Sequence, residues 1–199
     1  MSNETAATLT SPFVDSLAKT PAWLRRFGIV LAGSAFAAIC AHVSLPLFFT
    51  PVPLSLAPFA VLVVGLALAP RMAAATFAAY LLEGAAGLPV FAPSPAIGGF
   101  AHLFGPTGGY LLAYPLAAAV ISFLFRRSRR GYFSAFAVAA IGDLLILICG
   151  ALWLAAITHI AVTQATALAV LPFLAGDALK IAAAAAVRSG FARLRHPTA

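Results

Sequence analysis

The stretch LPFLAGDALKIAAAAAV, residues 171–187, carries an aspartate and a lysine three positions apart in an otherwise apolar run. From Pro172, whose missing N–H is no loss in a first helical turn, to Phe191, the segment is about 20 residues, enough for a helix to cross a hydrocarbon core roughly 30 Å thick. Runs of this kind recur along the chain. Of its 199 residues 63% are hydrophobic and 9% charged, with a mean hydropathy of +1.04, a balance that would leave a soluble domain with a large sticky surface. The short alternation of apolar and polar positions that marks barrel strands is absent. The sequence therefore describes an all-α integral membrane protein, with a polar arm at 1–22, a single membrane domain at 23–195 and a short tail at 196–199.

Six spans are expected. The first runs from about Phe27 to Leu45 behind Trp23, Arg25 and Arg26, an aromatic and basic anchor of the kind found at membrane interfaces. Pro46, Pro51, Pro53 and Pro58 interrupt PLFFTPVPLSLAP, residues 46–58, which predicts a rigid outer loop leading into a second span at about Leu54–Leu68. A tight turn at 69–71 leads to a third span at Met72–Gly87. Between Gly87 and Tyr110, four prolines and six glycines predict a long, structured loop. Further spans follow at Gly109–Phe125, Ser134–Ile157 and Pro172–Phe191, and the stretch Thr158–Leu171 is without assignment.

With an inside N-terminus, eleven of the twelve lysines and arginines fall on one side: Lys19, Arg25, Arg26, Arg71, Arg126, Arg127, Arg129, Arg130, Arg188, Arg193 and Arg195. The positive-inside bias makes that side, with both termini, cytoplasmic, in a bacterial-type cytoplasmic membrane. The same clustering accounts for the net charge of +7 and, without interleaved aromatics on a shared face, argues against a nucleic-acid surface. The first 20 residues lack a basic region followed by an apolar run, so no cleavable signal peptide is expected.

The twelfth cation, Lys180, lies inside the last span with Asp177, and Glu83 and Asp143 also fall within spans. Charges at such positions are costly and face a protein interior or a wet cavity. Spaced i, i+3, Asp177 and Lys180 share a helix face and are within reach of each other. They read either as an ion pair that holds the bundle together or as a polar binding site. The second reading is preferred, because desolvation offsets much of a buried pair's attraction. In it the lysine donates to a ligand carboxylate or carbonyl and the aspartate accepts from ligand N–H groups.

Glu83 shares a helix face with Tyr80 and either snorkels to the interface or lines the pocket. Asp143 either hydrogen-bonds in helix packing or meets the ligand. GPTGGY, residues 105–110, joins glycines that admit close backbone approach, Gly109 among them, to the polar handles Thr107 and Tyr110. His42, His102 and His159 are read as ordinary interfacial residues. Gly33, Ala37 and Ala41 form a small-residue stripe along which a helix can approach, either within the bundle or from a second membrane protein.

Cys40 and Cys149 are isolated, with neither CxxC spacing nor a His or carboxylate cluster around them, so they read as small buried apolar side chains and no metal site is expected. No GxxxxGK[ST], GxSxG or HExxH occurs, so any ATP-driven step falls to a partner. An intramembrane enzyme using Asp143 or Asp177 as acid or base is the competing class. Two catalytic aspartates would need to face each other across helices, whereas a lysine one turn from Asp177 suits a ligand-accepting carboxylate.

Four blocks in order, PVPLSLAPFAVLVVGLALAPR (51–71), YLLEGAAGLPVFA (80–92), GPTGGYLLAYPLAA (105–118) and LPFLAGDALKIAAAA (171–185), resemble the signature segments of the BioY family, the biotin-specific substrate-binding (S) components of energy-coupling factor (ECF) transporters. The likeness spans most of the chain. It implies a six-transmembrane-helix bundle of the ECF S-component type, not an enzyme, that captures biotin from the outer side of the membrane. It further implies a transmembrane coupling subunit and a pair of cytoplasmic ATPases as partners, with ATP used only there and no cofactor on this chain. The family's Asp-x-x-Lys matches Asp177 and Lys180, its third-helix tyrosine matches Tyr80, and its Gly-Pro-Thr-Gly-Gly-Tyr loop matches Gly105–Tyr110 unchanged. With the loop Thr50–Ser55, these are implied to form the wall and lid of the pocket. Ala57 stands where relatives often carry glutamine and Ala113 where glycine is common, departures that bear on fine specificity. The stripe Gly33, Ala37, Ala41 agrees with the docking surface that small residues provide on the first helix of S components. An S component for another small vitamin, or a stand-alone carrier, is the alternative within transport.

Overall fold

The computed structural model describes residues 21–93 and 98–195. Residues 1–20 of the expected arm and the expected tail at 196–199 lie outside the described residues. Within them the chain is mostly helical. In chain order the elements are α1 (Ala22–His42), β1 (Ser44–Leu45), β2 (Leu54–Ser55), α2 (Ala57–Ala67), α3 (Pro70–Ala85), a 3-10 turn (Gly99–Phe104), α4 (Gly108–Arg127), α5 (Tyr132–Thr158), α6 (Val162–Ala169) and α7 (Leu174–Arg195). By length and composition α1, α4 and α5 can each cross a bilayer, and α6 with α7, bent by 57° at their junction, makes a fourth crossing if the pair is one span. At about 1.5 Å per residue, the 11 residues of α2 reach roughly half way across a hydrocarbon core of about 30 Å.

The helix boundaries follow the prolines. Leu54 and Ser55, expected to open the second span, instead pair antiparallel with Leu45 and Ser44. The proline-rich segment 46–53 is thus the loop of a short hairpin, and α2 starts only at Ala57. Pro70 begins α3, where its missing N–H leaves no bond unmade. The unassigned stretch holds α6. Pro172 lies in the break between α6 and α7 rather than in the first turn of α7, and the Phe173 N–H bonds to the Val170 carbonyl at 3.0 Å across that break.

Small residues set how closely the helices approach. Ile121 of α4 fits between Gly65 of α2 and Gly142 of α5, where an added Cβ would lie 2.9 Å or 2.3 Å from its side chain. The helices α4 and α5 also interlock reciprocally, with the Tyr110 ring over Gly150 and Trp153 over Gly109. Gly109, expected to contact ligand, is therefore placed at a helix crossing. On α1, Ala37 and Ala41 are fully buried, and a Cβ on Gly33 would stand 2.7 Å from Thr76 of α3. Of the two readings of this stripe, packing within the bundle accounts for these contacts. At the end of α2, Ser122 Oγ of α4 donates to the Leu68 carbonyl at 2.6 Å, filling an acceptor that the helix itself leaves open.

The α4–α5 crossing gives a direct test. A Cβ at Gly109 would stand 2.2 Å from Trp153 Cβ and 2.6 Å from the Cys149 carbonyl oxygen, whereas one at Gly28 would meet nothing within 4 Å. Gly109→Val should destabilise by about 1–3 kcal/mol, a drop of several degrees in the thermal midpoint in detergent. Gly28→Ala should leave the midpoint level or slightly raised. Equal midpoints for the two variants would contradict the crossing.

Candidate ligand-binding site

The charged pair on α7 is formed. Lys180 Nζ donates to Asp177 Oδ1 at 2.8 Å, and the two residues are 7% and 3% exposed. Asp177 lies in the first turn of α7, where the free N–H groups and the helix dipole favour an anion. Just before it, the break ends α6 with the Ala169 carbonyl left over, and Tyr110 Oη of α4 donates to that carbonyl at 2.5 Å. The break that positions Asp177 is thus held by a side chain 59 positions earlier in the chain.

Asp177 and Lys180 face a cavity between the helices. Asp143, Ile146 and Leu147 of α5 line it, with Tyr110, Leu111 and Tyr114 of α4 and Tyr80 of α3. Val52, Pro53 and Ser55 from the hairpin, Ala57 and Pro58 from α2, and Ala92, His102 and Thr107 from the loop before α4 complete the lining with Phe173 from the break. Six residues singled out from the sequence, Tyr80, Thr107, Tyr110, Asp143, Asp177 and Lys180, therefore meet around one space.

Two do not. Gly109 packs against Trp153, as described, and Glu83 is absent from the lining. Glu83 accepts a hydrogen bond from the Ser34 hydroxyl of α1, so it lies between α1 and α3. A carboxylate among membrane helices finds its donor on a neighbouring helix rather than in the pocket.

The walls are aromatic and tied together. Tyr80 Oη donates to the Val90 carbonyl at 3.1 Å, and its ring stacks on Tyr114 at 6.5 Å and meets Phe91 edge-on at 5.3 Å. Phe91 in turn stacks on His102 at 5.0 Å. Trp153 Nε1 donates to the Gly105 carbonyl at 3.0 Å and pins the Gly-Pro-Thr loop to α5.

Sequence reasoning missed Tyr114 and misplaced His102, which is buried and lines the cavity. Tyr114 follows Tyr110 by four positions, one helical turn, so its spacing carried the signal. His102 sits in a loop with no periodicity to read. Ala57 is part of the lining and Ala113 is buried, so the first of the two family departures changes the wall itself. Among the described residues no group of three or more His, Cys, Asp or Glu is placed to hold a metal ion. Two carboxyl groups, one ammonium and several hydroxyls on an aromatic wall suit a ligand with N–H donors and carbonyl or carboxylate acceptors on an apolar frame.

The fold and this cavity define a multi-pass helical membrane protein with a cavity between its helices. The chain belongs to the BioY family, whose model matches residues 8–196. It is 38% identical to a probable biotin transporter of Pyrococcus horikoshii over 67% of this chain and 76% of that one. A biotin transporter of Lactococcus lactis is 34% identical, covering 76% and 81%, and one of Thermotoga maritima is 34% identical, covering 77% and 88%. Among solved structures, the chain is similar to the S-component for biotin from an ECF-type ABC transporter, with a TM-score of 0.76 and 25% identity over 87% of this chain and 92% of that one.

The pair's energetics are testable without ligand. Asp177→Asn strands the buried Lys180 and should lower stability by about 3–5 kcal/mol, whereas Asp177→Asn/Lys180→Met, which removes both charges, should recover most of that loss. Thermal unfolding in detergent reads the difference. Simple additivity of the two single substitutions would show that the residues do not act as a pair.

Proposed function

We propose that this protein is the biotin-capturing S subunit of an ECF-type ABC transporter. The observation that carries the reading is the buried Asp177–Lys180 pair opening into an aromatic cavity, in a chain of the BioY family. Biotin presents two ureido N–H donors, a ureido carbonyl, an apolar fused ring with a thioether, and a valerate chain ending in carboxylate. Asp177 and Asp143 are the acceptors for the N–H groups, and Lys180 donates to the carbonyl or the carboxylate. Tyr80 and Tyr114 pack the fused ring, a setting that also favours sulfur against aromatic edges. The hydroxyls of Thr107 and Tyr110 border the same space.

In this reading the chain is a six-span bundle at 23–195, with the arm 1–22, the tail 196–199 and both termini on the cytoplasmic side of a bacterial-type cytoplasmic membrane. The count of six takes α2 and α3 as one span each and the bent α6–α7 pair as the last. The hairpin and the loop before α4 lie outward, so ligand enters from the outer side. The chain binds rather than catalyses and uses no cofactor. A transmembrane coupling subunit and cytoplasmic ATPases join it, and ATP is hydrolysed there.

Calorimetry on the purified protein in detergent tests the ligand. The parent should bind biotin, and Asp177→Asn and Lys180→Met should each weaken binding roughly 10- to 100-fold, the value of a hydrogen bond to a charged group. Glu83→Gln should change affinity little, because the partner of Glu83 is Ser34 and not the ligand. No heat with biotin from demonstrably folded parent protein would sink the biotin assignment.

A further inference from the structure

A second hollow lies between α2 and α7, at the end of the bundle where α4 carries Arg126 and Arg127. Val63 and Ala67 of α2 and Ala184, Val187 and Phe191 of α7 line it together with Arg188. Phe191 is 61% exposed and Val187 37%, so the groove opens on the outside of the bundle, where lipid lies. Its walls are alkyl and aromatic except for one guanidinium.

That guanidinium lacks a counter-ion among the described residues. Arg188 Nε is buried without a hydrogen-bond partner. The Arg188 guanidinium carbon lies 5.2 Å from the centre of the Phe125 ring, a contact that steadies the cation but accepts none of its in-plane hydrogen bonds. The described carboxylates are engaged elsewhere: Glu83 with Ser34, Asp177 with Lys180, and Asp143 in the ligand cavity. A buried N–H left without an acceptor is costly, and a guanidinium bonds most strongly to an anionic acceptor.

We propose that this groove binds one anionic phospholipid, with its phosphate on Arg188 and an acyl chain along the wall formed by α2 and α7. Charge complementarity selects the occupant. The planar fork of arginine matches a phosphate in bidentate fashion. An apolar wall continuous with a cation between membrane helices accepts a lipid with both its parts, whereas a soluble anion uses only the cation. The inference is independent of which ligand fills the cavity beside Asp177.

Native mass spectrometry of the full chain, titrated in detergent with dioleoyl phosphatidylglycerol or dioleoyl phosphatidylcholine, tests it. The parent should retain one phosphatidylglycerol with about fivefold preference over phosphatidylcholine. Arg188→Gln should abolish the preference, and Arg126→Gln/Arg127→Gln should keep it. Ala67→Phe, which fills the groove and leaves Arg188 in place, should lower retention of phosphatidylglycerol, and it carries the test if Arg188→Gln does not fold. Equal retention of the two lipids by the parent, or a preference that survives in Arg188→Gln, overturns the proposal. Displacement of phosphatidylglycerol by equimolar glycerol 3-phosphate would also overturn it, making this a site for soluble anions.

Discussion

A carboxylate and an ammonium 2.8 Å apart, both almost fully screened from solvent, have to be supported by everything around them. Buried among helices, each charge is costly without an opposite partner, so each needs the other. The surrounding polar contacts obey the same constraint. Ser34 reaches Glu83 between α1 and α3, Ser122 reaches the Leu68 carbonyl from α4 to α2, and Trp153 reaches the Gly105 carbonyl from α5 to the loop before α4. Each of these side-chain donors sits on a different element from its acceptor. Satisfying polar groups and joining helices are therefore one task here, and the ligand cavity opens where the helices so joined stand apart.

The apolar packing complements this. Where two helices must touch, one offers glycine and the other a bulky side chain, as Ile121 does to both Gly65 and Gly142. Where they must leave room, aromatic rings at Tyr80, Tyr114 and Phe91 prop the space open, ring against ring. Tyr110 does both, with its ring on Gly150, its hydroxyl on the Ala169 carbonyl and one side toward the cavity. A wall built this way is stiff, and its shape is set by helix crossings rather than by the ligand.

Much of this was legible in the sequence, and the parts that were not share a cause. Long apolar runs, prolines at turns, and the i, i+3 spacing of Asp177 and Lys180 are local signals, and they placed the long helices and brought six of the site residues to one cavity. Glu83 and Gly109 carried the same local signals as true lining residues. Their partners, Ser34 and Trp153, are distant in sequence, and no spacing rule points to them. The stripe Gly33, Ala37, Ala41 announced a close helix contact but not with which helix. The hairpin was hidden because two paired residues on each side are too few to show alternation, and α6 because eight residues are too few to show a period. Length, not composition, set the limit of reading.

The hydrogen bond from Tyr110 to the Ala169 carbonyl also has a direction in time. Domains are built from the N-terminus at roughly 5–20 residues per second, so the 59 positions between the two correspond to about 3–12 seconds of synthesis. The donor is made first. When the chain reaches the break after α6, the hydroxyl that will cover the exposed carbonyl has already been translated as part of an earlier helix. Had the order been reversed, a bare acceptor would have had to wait in an apolar environment for a helix not yet made. The bent pair beside the cavity is thus placed late in the chain, where its most exposed defect meets a donor already present.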